Sequence, residues 1–194
     1  MKQKIILCWL VFMAISTFTH VSGYFRKQKP YKKLLVVHST NFNGIIEAKN
    51  VGAKSYKLHT IDKKTGKENA VFIKYNVYAM QSGDINNDGK VDICIGIITP
   101  KNTKEGLQKT LFVLEIDGGN IRPLMPQALF DKPLENFKIF CRNEKSIIRT
   151  IEKEKNNTFS VGEYEWNHAK LKLLSYKGTN LDMEKAKFIM YQIR

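Results

Sequence analysis

The chain has 194 residues, 43% hydrophobic and 26% charged, which is the balance of a globular protein and excludes a disordered or collagenous one. A chain of that size buries roughly 70% of its unfolded surface in one core, and it is too short for a complete large propeller, a barrel enzyme or a two-domain dehydrogenase. The net charge of +14, from 32 Lys+Arg against 18 Asp+Glu, favours anionic partners. The lysines are nevertheless spread in ones and twos (Lys32, Lys33, Lys63, Lys64, Lys170, Lys172) with no stacking or groove-entering motif among them, which argues against nucleic acid.

Residues 1–23, MKQKIILCWLVFMAISTFTHVSG, open with Lys2 and Lys4, continue through an apolar stretch from Ile5 to Phe18, and end on small and polar residues. This is the grammar of a signal peptide cleaved before Tyr24, and it predicts an exported protein, whether periplasmic, cell-surface or secreted. The apolar stretch is 14 residues long, short of the roughly 20 that span a bilayer, so no transmembrane segment is expected after cleavage. The alternative is an uncleaved anchor. Cleavage removes Cys8 and leaves Cys94 and Cys141, each inside an apolar run and neither in a CxxC. One disulfide and two buried thiols both fit that placement.

From Tyr31 onward short runs rich in Val, Ile, Phe, Tyr and Leu alternate with Gly, Asn, Asp and Lys-Thr-Gly punctuation, which predicts an all-β domain over 24–194. The runs are LLVVHS, SYKLHTI, AVFIKY, NVYAMQS, VDICIGII, TLFVLEI, NFKIFCR, SIIRTIE, FSVGEYEW and LKLLSY. IDKKTGKENAVF, EIDGGNIRPL and EWNHAKLKLL each join two of them across a polar turn and read as hairpins. Aligning the hairpins exposes a repeat of about 50 residues: units at about 33–75, 76–125 and 135–176, each with four antiparallel strands, then a closing tail. Such units are propeller-blade-like, and a plain β-sandwich has the same strand count and turn spacing. The tail LDMEKAKFIMYQIR suits a helix through Leu181, Lys185, Phe188 and Ile189, and equally a final strand through KFIMYQI.

The stretch that carries chemistry is GDINNDGKVDICIG, Gly83 to Gly96. Asp84, Asn86, Asp88 and Asp92 occupy positions 1, 3, 5 and 9 of a tight loop, Gly89 occupies position 6, and the backbone carbonyl of Lys90 occupies position 7. Oxygen donors on alternate residues coil around a hard cation, so the spacing predicts one structural Ca2+. The alternative is an Asp- and Asn-rich turn without metal, since these side chains bond their own backbone. A helix-loop-helix calcium hand closes with an acidic residue at position 12 and continues into a helix; here position 12 is Ile95 and a β-branched run follows. The loop resembles instead the calcium loop of FG-GAP or VCBS repeats, the blades of integrin-α-like β-propellers, matching at Asp84, Asn86, Asp88, Gly89, Asp92 and Gly96. The resemblance implies a propeller-like fold with one calcium-competent blade, because the corresponding stretches STNFNGIIE and CRNEKSIIR lack the carboxylate ladder. Three units fall short of the four or more that usually close a ring, so the edges require a second copy, the tail or an open stack to cover them.

No nucleophile elbow, phosphate loop or dinucleotide fingerprint occurs, and His38, His59 and His168 each stand alone in their runs. Glu163 and Glu165 share one face of a strand at about 7 Å, a separation within reach of a glycosidase pair; alternation with Tyr164 and Trp166 predicts a solvated face opposite an aromatic core face. If the aromatics face outward, Trp166 and Tyr164 form a platform for a sugar or a partner. Asn156-Asn157-Thr158 is an N-glycosylation acceptor in a eukaryotic source. The resulting expectation is an exported, non-enzymatic, calcium-binding β-repeat protein acting as an interaction module for a protein or glycan, able to form homo-oligomers. The alternatives are an enzyme or enzyme subunit acting on glycans and an adhesive surface protein that binds anionic polymer.

Overall fold

The computed structural model describes residues 32–52, 54–100 and 106–192; the signal-peptide reading and Cys8 lie outside them. Strands β1 (Lys32–His38), β2 (Asn43–Gly52), β3 (Ser55–Asp62) and β4 (Glu68–Ile73) form an antiparallel sheet in chain order. A second meander follows in β5 (Asn76–Gly83), β6 (Asp92–Pro100), β7 (Leu107–Asp117) and β8 (Asn120–Met125), and a third in β9 (Leu134–Arg142), β10 (Lys145–Lys153), β11 (Phe159–Asn167) and β12 (Lys170–Leu181). The second and third meanders join into one eight-stranded sheet through a single pairing of β7 with β9, Lys109 with Leu134. The protein is therefore all-β and antiparallel, and the three expected units coincide with the three meanders, the last extending to Leu181. Two sheets packed across a shared core describe a sandwich as well as an open stack of blades.

Alternation along the strands determines what each meander buries. Ile46 and Ala48 of β2 and Tyr56 and Leu58 of β3 pack against Met80 of β5 and Ile93, Ile95 and Ile97 of β6. The opposite face of the second meander, with Cys94 and Val113, packs on Phe137, Ile148 and Tyr164 of the third. Gly96 makes the second contact possible. A Cβ there would lie 2.5 Å from the Tyr78 ring and 2.9 Å from that of Phe137, closer than packed atoms approach. Polar ties supplement the apolar ones: Gln81 of β5 donates to the Phe137 carbonyl at 3.0 Å and accepts from the Ile139 N–H at 3.0 Å.

After β12 the chain turns into helix α1 (Met183–Tyr191). Of the two readings the tail allowed, the helix wins because Asp182 caps it, accepting from the Lys185 N–H at 2.8 Å, and because Ala186 and Met190 bury against Ile151 and Val161. The outward face of the third meander is thereby covered. On the first meander, Leu34, Val36 and Phe72 are 51%, 56% and 69% exposed. No helix among the described residues is long and apolar enough to cross a membrane.

Three hairpins turn through two residues of positive φ, as the right-handed twist of their strands demands. The β7–β8 turn uses Gly118 and Gly119, and the β9–β10 turn uses Asn143 and Glu144. The β11–β12 turn places His168 at φ 45° and Ala169 at φ 70°, a conformation in which Cβ crowds the following carbonyl. Ala169→Gly is expected to stabilise the protein by about 0.5–1 kcal/mol, measurable as a raised urea midpoint at unchanged slope.

Candidate metal site

Strands β5 and β6 pair down to Gly83 and Asp92, and residues 84–91 form the connecting loop. The Asp84 carboxylate accepts from the backbone N–H groups of Asp88 at 3.0 Å and Gly89 at 2.8 Å. Asn86 Oδ1 accepts from the Asp88 N–H at 3.2 Å, and Asp88 Oδ1 from the Lys90 N–H at 2.9 Å. The coil is completed by left-handed backbone at Asn87, φ 59°, and Gly89, φ 83°. These bonds are those of an Asp- and Asn-rich turn that holds its own shape.

Asp92 is different. Its side chain is fully buried; Oδ2 accepts from the Ile85 N–H at 2.8 Å, while Oδ1 has no hydrogen-bond partner. Burial pushes the carboxyl up to about 7 against the pull of the Ile85 and Asn86 amides, and the Asp88 and Asp84 carboxylates add to the push. A buried carboxylate oxygen without a donor, close to two further carboxylates, is costly. The same feature fits a hard divalent cation, which such oxygen donors bind. Among the described residues no three His, Cys, Asp or Glu side chains already converge as a metal-binding group; Asp84 and Asp88 accept from loop amides instead. The Lys90 ammonium lies outside this set, 3.2 Å from Glu115 and 3.8 Å from Asp117 on β7.

The loop also touches both neighbouring meanders. Thr40 Oγ1 donates to the Gly89 carbonyl at 3.3 Å, and Asn41 Oδ1 accepts from the Val91 N–H at 3.1 Å. Asn41 Nδ2 donates to the Ile116 carbonyl at 2.6 Å. On the other side, Asn87 Oδ1 accepts from the Ser146 N–H at 3.0 Å. The turns after β1, β5 and β9 therefore meet, and the two stretches without the carboxylate ladder serve as partners of the one that has it. Asn41 and Asn87 carried no signal in the sequence beyond being turn residues.

The other sequence candidates resolve differently. Glu163 is buried, not solvated, because α1 covers its face of β11; it pairs with Arg149 at 2.7 Å, Arg142 at 2.9 Å and Lys177 at 3.2 Å. Burial raises its carboxyl, but those cations outweigh burial and hold it below the usual carboxylate range. Arg149 in turn donates to the carbonyls of Ile189, Met190 and Gln192, closing the C-terminal end of α1, where a cation is favoured. Glu165 is half-buried opposite Lys172 on β12. Tyr164 is buried and Trp166 packs against the same core, so the aromatics face inward and form no platform. Cys94 is buried, Cys141 is exposed, and both are free thiols. His38 bonds Asn43 at 2.8 Å and His59 bonds Glu68 at 3.2 Å. Asn156 is exposed in the β10–β11 turn.

One buried network was not visible in the sequence. Glu152, fully buried, accepts from Thr150 Oγ1 at 2.6 Å, the Lys132 N–H at 3.2 Å and the Tyr176 hydroxyl at 3.2 Å. The Tyr176 hydroxyl also lies 3.2 Å from Asp131. A cleft of about 270 Å³ opens beside it, lined by Thr110, Leu129, Asp131 and Lys132. Its carboxylates anchor the connection from β8 to β9, and Glu152 has no path to solvent.

Comparison with known proteins gives no match among protein-family models, curated proteins or solved structures.

Because Glu163 compensates a buried guanidinium, Glu163→Gln is expected to cost about 3 kcal/mol at pH 7, read by urea unfolding. The native carboxyl lies below its ordinary value of 4.5, so its contribution is present above that pH and is lost as the pH falls through the native value. The gap between wild type and variant is therefore expected to close in acid.

Proposed function

We propose that the protein is an exported, calcium-binding β-repeat module similar to FG-GAP or VCBS repeats, its meanders being propeller-blade-like units. The observation that carries this reading is the unpartnered, buried Oδ1 of Asp92 at the end of the Asp84–Asn86–Asp88 ladder. A bound Ca2+ would offset two of the three carboxylate charges and relieve their repulsion, with Asp84, Asn86, Asp88, Asp92 and the Lys90 carbonyl as its ligands. All of these belong to one loop and its flanking strand, which makes the ion structural. Export rests on the signal-peptide grammar of residues 1–23.

The role is binding of a protein or glycan rather than catalysis. Glu163, one of the two carboxylates at a glycosidase-like separation, is paired with three cations, and Glu152 accepts from three donors within the fold. Glu163, held below the usual carboxylate range by those cations, is not poised to give a proton to a substrate, and Glu152 is buried away from any substrate.

Thermal unfolding in chelator, in magnesium and in calcium tests the reading. The dissociation constant expected for an extracellular module is on the order of 10⁻⁴ to 10⁻³ M. Calcium at 100 times the dissociation constant stabilises by about 2.7 kcal/mol, so calcium is expected to raise the midpoint, and Asp88→Ala to abolish the rise. An unchanged midpoint in every metal would leave the ladder a metal-free turn and remove the basis for the proposal.

A further inference from the structure

Two contacts that involve no ligand of the cation join the β5–β6 loop to other meanders, one through a loop side chain and one through a loop backbone N–H. Asn87 sits between Asn86 and Asp88 with its backbone at φ 59°, which directs its amide oxygen to the Ser146 N–H of β10. Val91 immediately precedes Asp92, and its N–H is held by Asn41 from the β1–β2 turn. Asn41 reaches past it to the Ile116 carbonyl on β7. Each bond depends on the path of the loop backbone, the same backbone that carries Asp84, Asp88 and Asp92 and whose amides Asp84 and Asp88 hold. Without an ion the three carboxylates repel one another, and Asp92 Oδ1 lacks a partner. The loop already makes both contacts through its own hydrogen bonds; an ion that relieved the repulsion would hold it more firmly in that path, and with it the directions of the Asn87 oxygen and the Val91 N–H.

We propose that the cation is an interlock: its occupancy of the β5–β6 loop is coupled, through Asn87 to Ser146 and through Asn41 to Val91, to the docking of the third and first meanders on the second. The coupling rests on the cation-binding reading above. It is reciprocal: if calcium strengthens the two contacts, removing either contact weakens calcium. Loss of Asn41 or Asn87 therefore lowers affinity although neither is a ligand.

Amide hydrogen exchange of the full chain, residue by residue, with chelator and with saturating calcium, reads the coupling directly. In wild type, calcium is expected to slow exchange at Ser146 about tenfold, together with Asp88, Gly89 and Lys90 in the loop. Asn87→Gly retains the positive φ and removes the acceptor. In that variant calcium is expected still to protect Asp88, Gly89 and Lys90 but no longer Ser146. Calorimetric titration with calcium is expected to show affinity lowered about fivefold in Asn87→Gly and in Asn41→Ala. Calcium that protects the loop while leaving Ser146 unchanged in wild type overturns the interlock and spares the metal site. So does Ser146 protection that survives Asn87→Gly, which would report global stabilisation. Calcium that protects no amide at all overturns both the interlock and the cation-binding reading.

Discussion

Strand β6 is the constraint on which the rest of the molecule depends. From Asp92 to Ile97 every residue is buried, because the first meander packs on one face through Ile93, Ile95 and Ile97 and the third packs on the other through Cys94. A strand covered on both faces cannot alternate between apolar and polar, and VDICIGII does not. The two flanking sheets must then present complementary apolar faces, and Gly96 must stay without a Cβ so that Tyr78 and Phe137 can close over it. The helix follows from the same logic. The third meander has a second apolar face, with Ile151 and Val161, and α1 covers it.

Burial of this kind leaves charged groups in the interior, and the protein compensates Glu163 with cations but not Asp92. Glu163 and Arg149 form a pair whose remaining hydrogen-bonding capacity is filled by Arg142, Lys177 and the last carbonyls of α1. Asp92 begins the doubly covered strand and has no cation from the protein. Lys90, two residues away, is drawn off to Glu115 and Asp117. In a chain with a net charge of +14, Glu152 is likewise buried but both its oxygens accept from donors of the fold, so Asp92 Oδ1, which has none, is the exception. That exception, more than the letters of the loop, supports an external cation.

The strands and hairpins were legible because their signals are local. Alternation in SYKLHTI reappears as alternating burial in β3, and Gly118-Gly119 marks the β7–β8 turn that it forms. The repeat was legible because each meander ends in such a hairpin. What depended on tertiary contacts was not. Alternation put Glu163 on a polar face, and only the docking of α1 turns that face inward. The tail itself was ambiguous because its apolar residues fit both periods, and Asp182 as a cap has meaning only where β12 ends. Asn41 and Asn87 are ordinary turn residues in sequence and become a junction only when three turns are brought together. Of the site, the Asp84 to Asp92 ladder was readable from spacing alone, whereas the missing partner of Asp92 Oδ1 required the burial of its surroundings.

The central claim is that a cation completes the loop between β5 and β6. A crystal structure of the protein grown in calcium tests it most directly. The account predicts one ion in contact with Asp84, Asn86, Asp88, the Lys90 carbonyl and Asp92 Oδ1, at about 2.3–2.6 Å as calcium requires. A loop without an ion in saturating calcium, its amides bonded as described and Asp92 Oδ1 still without a partner, would contradict it.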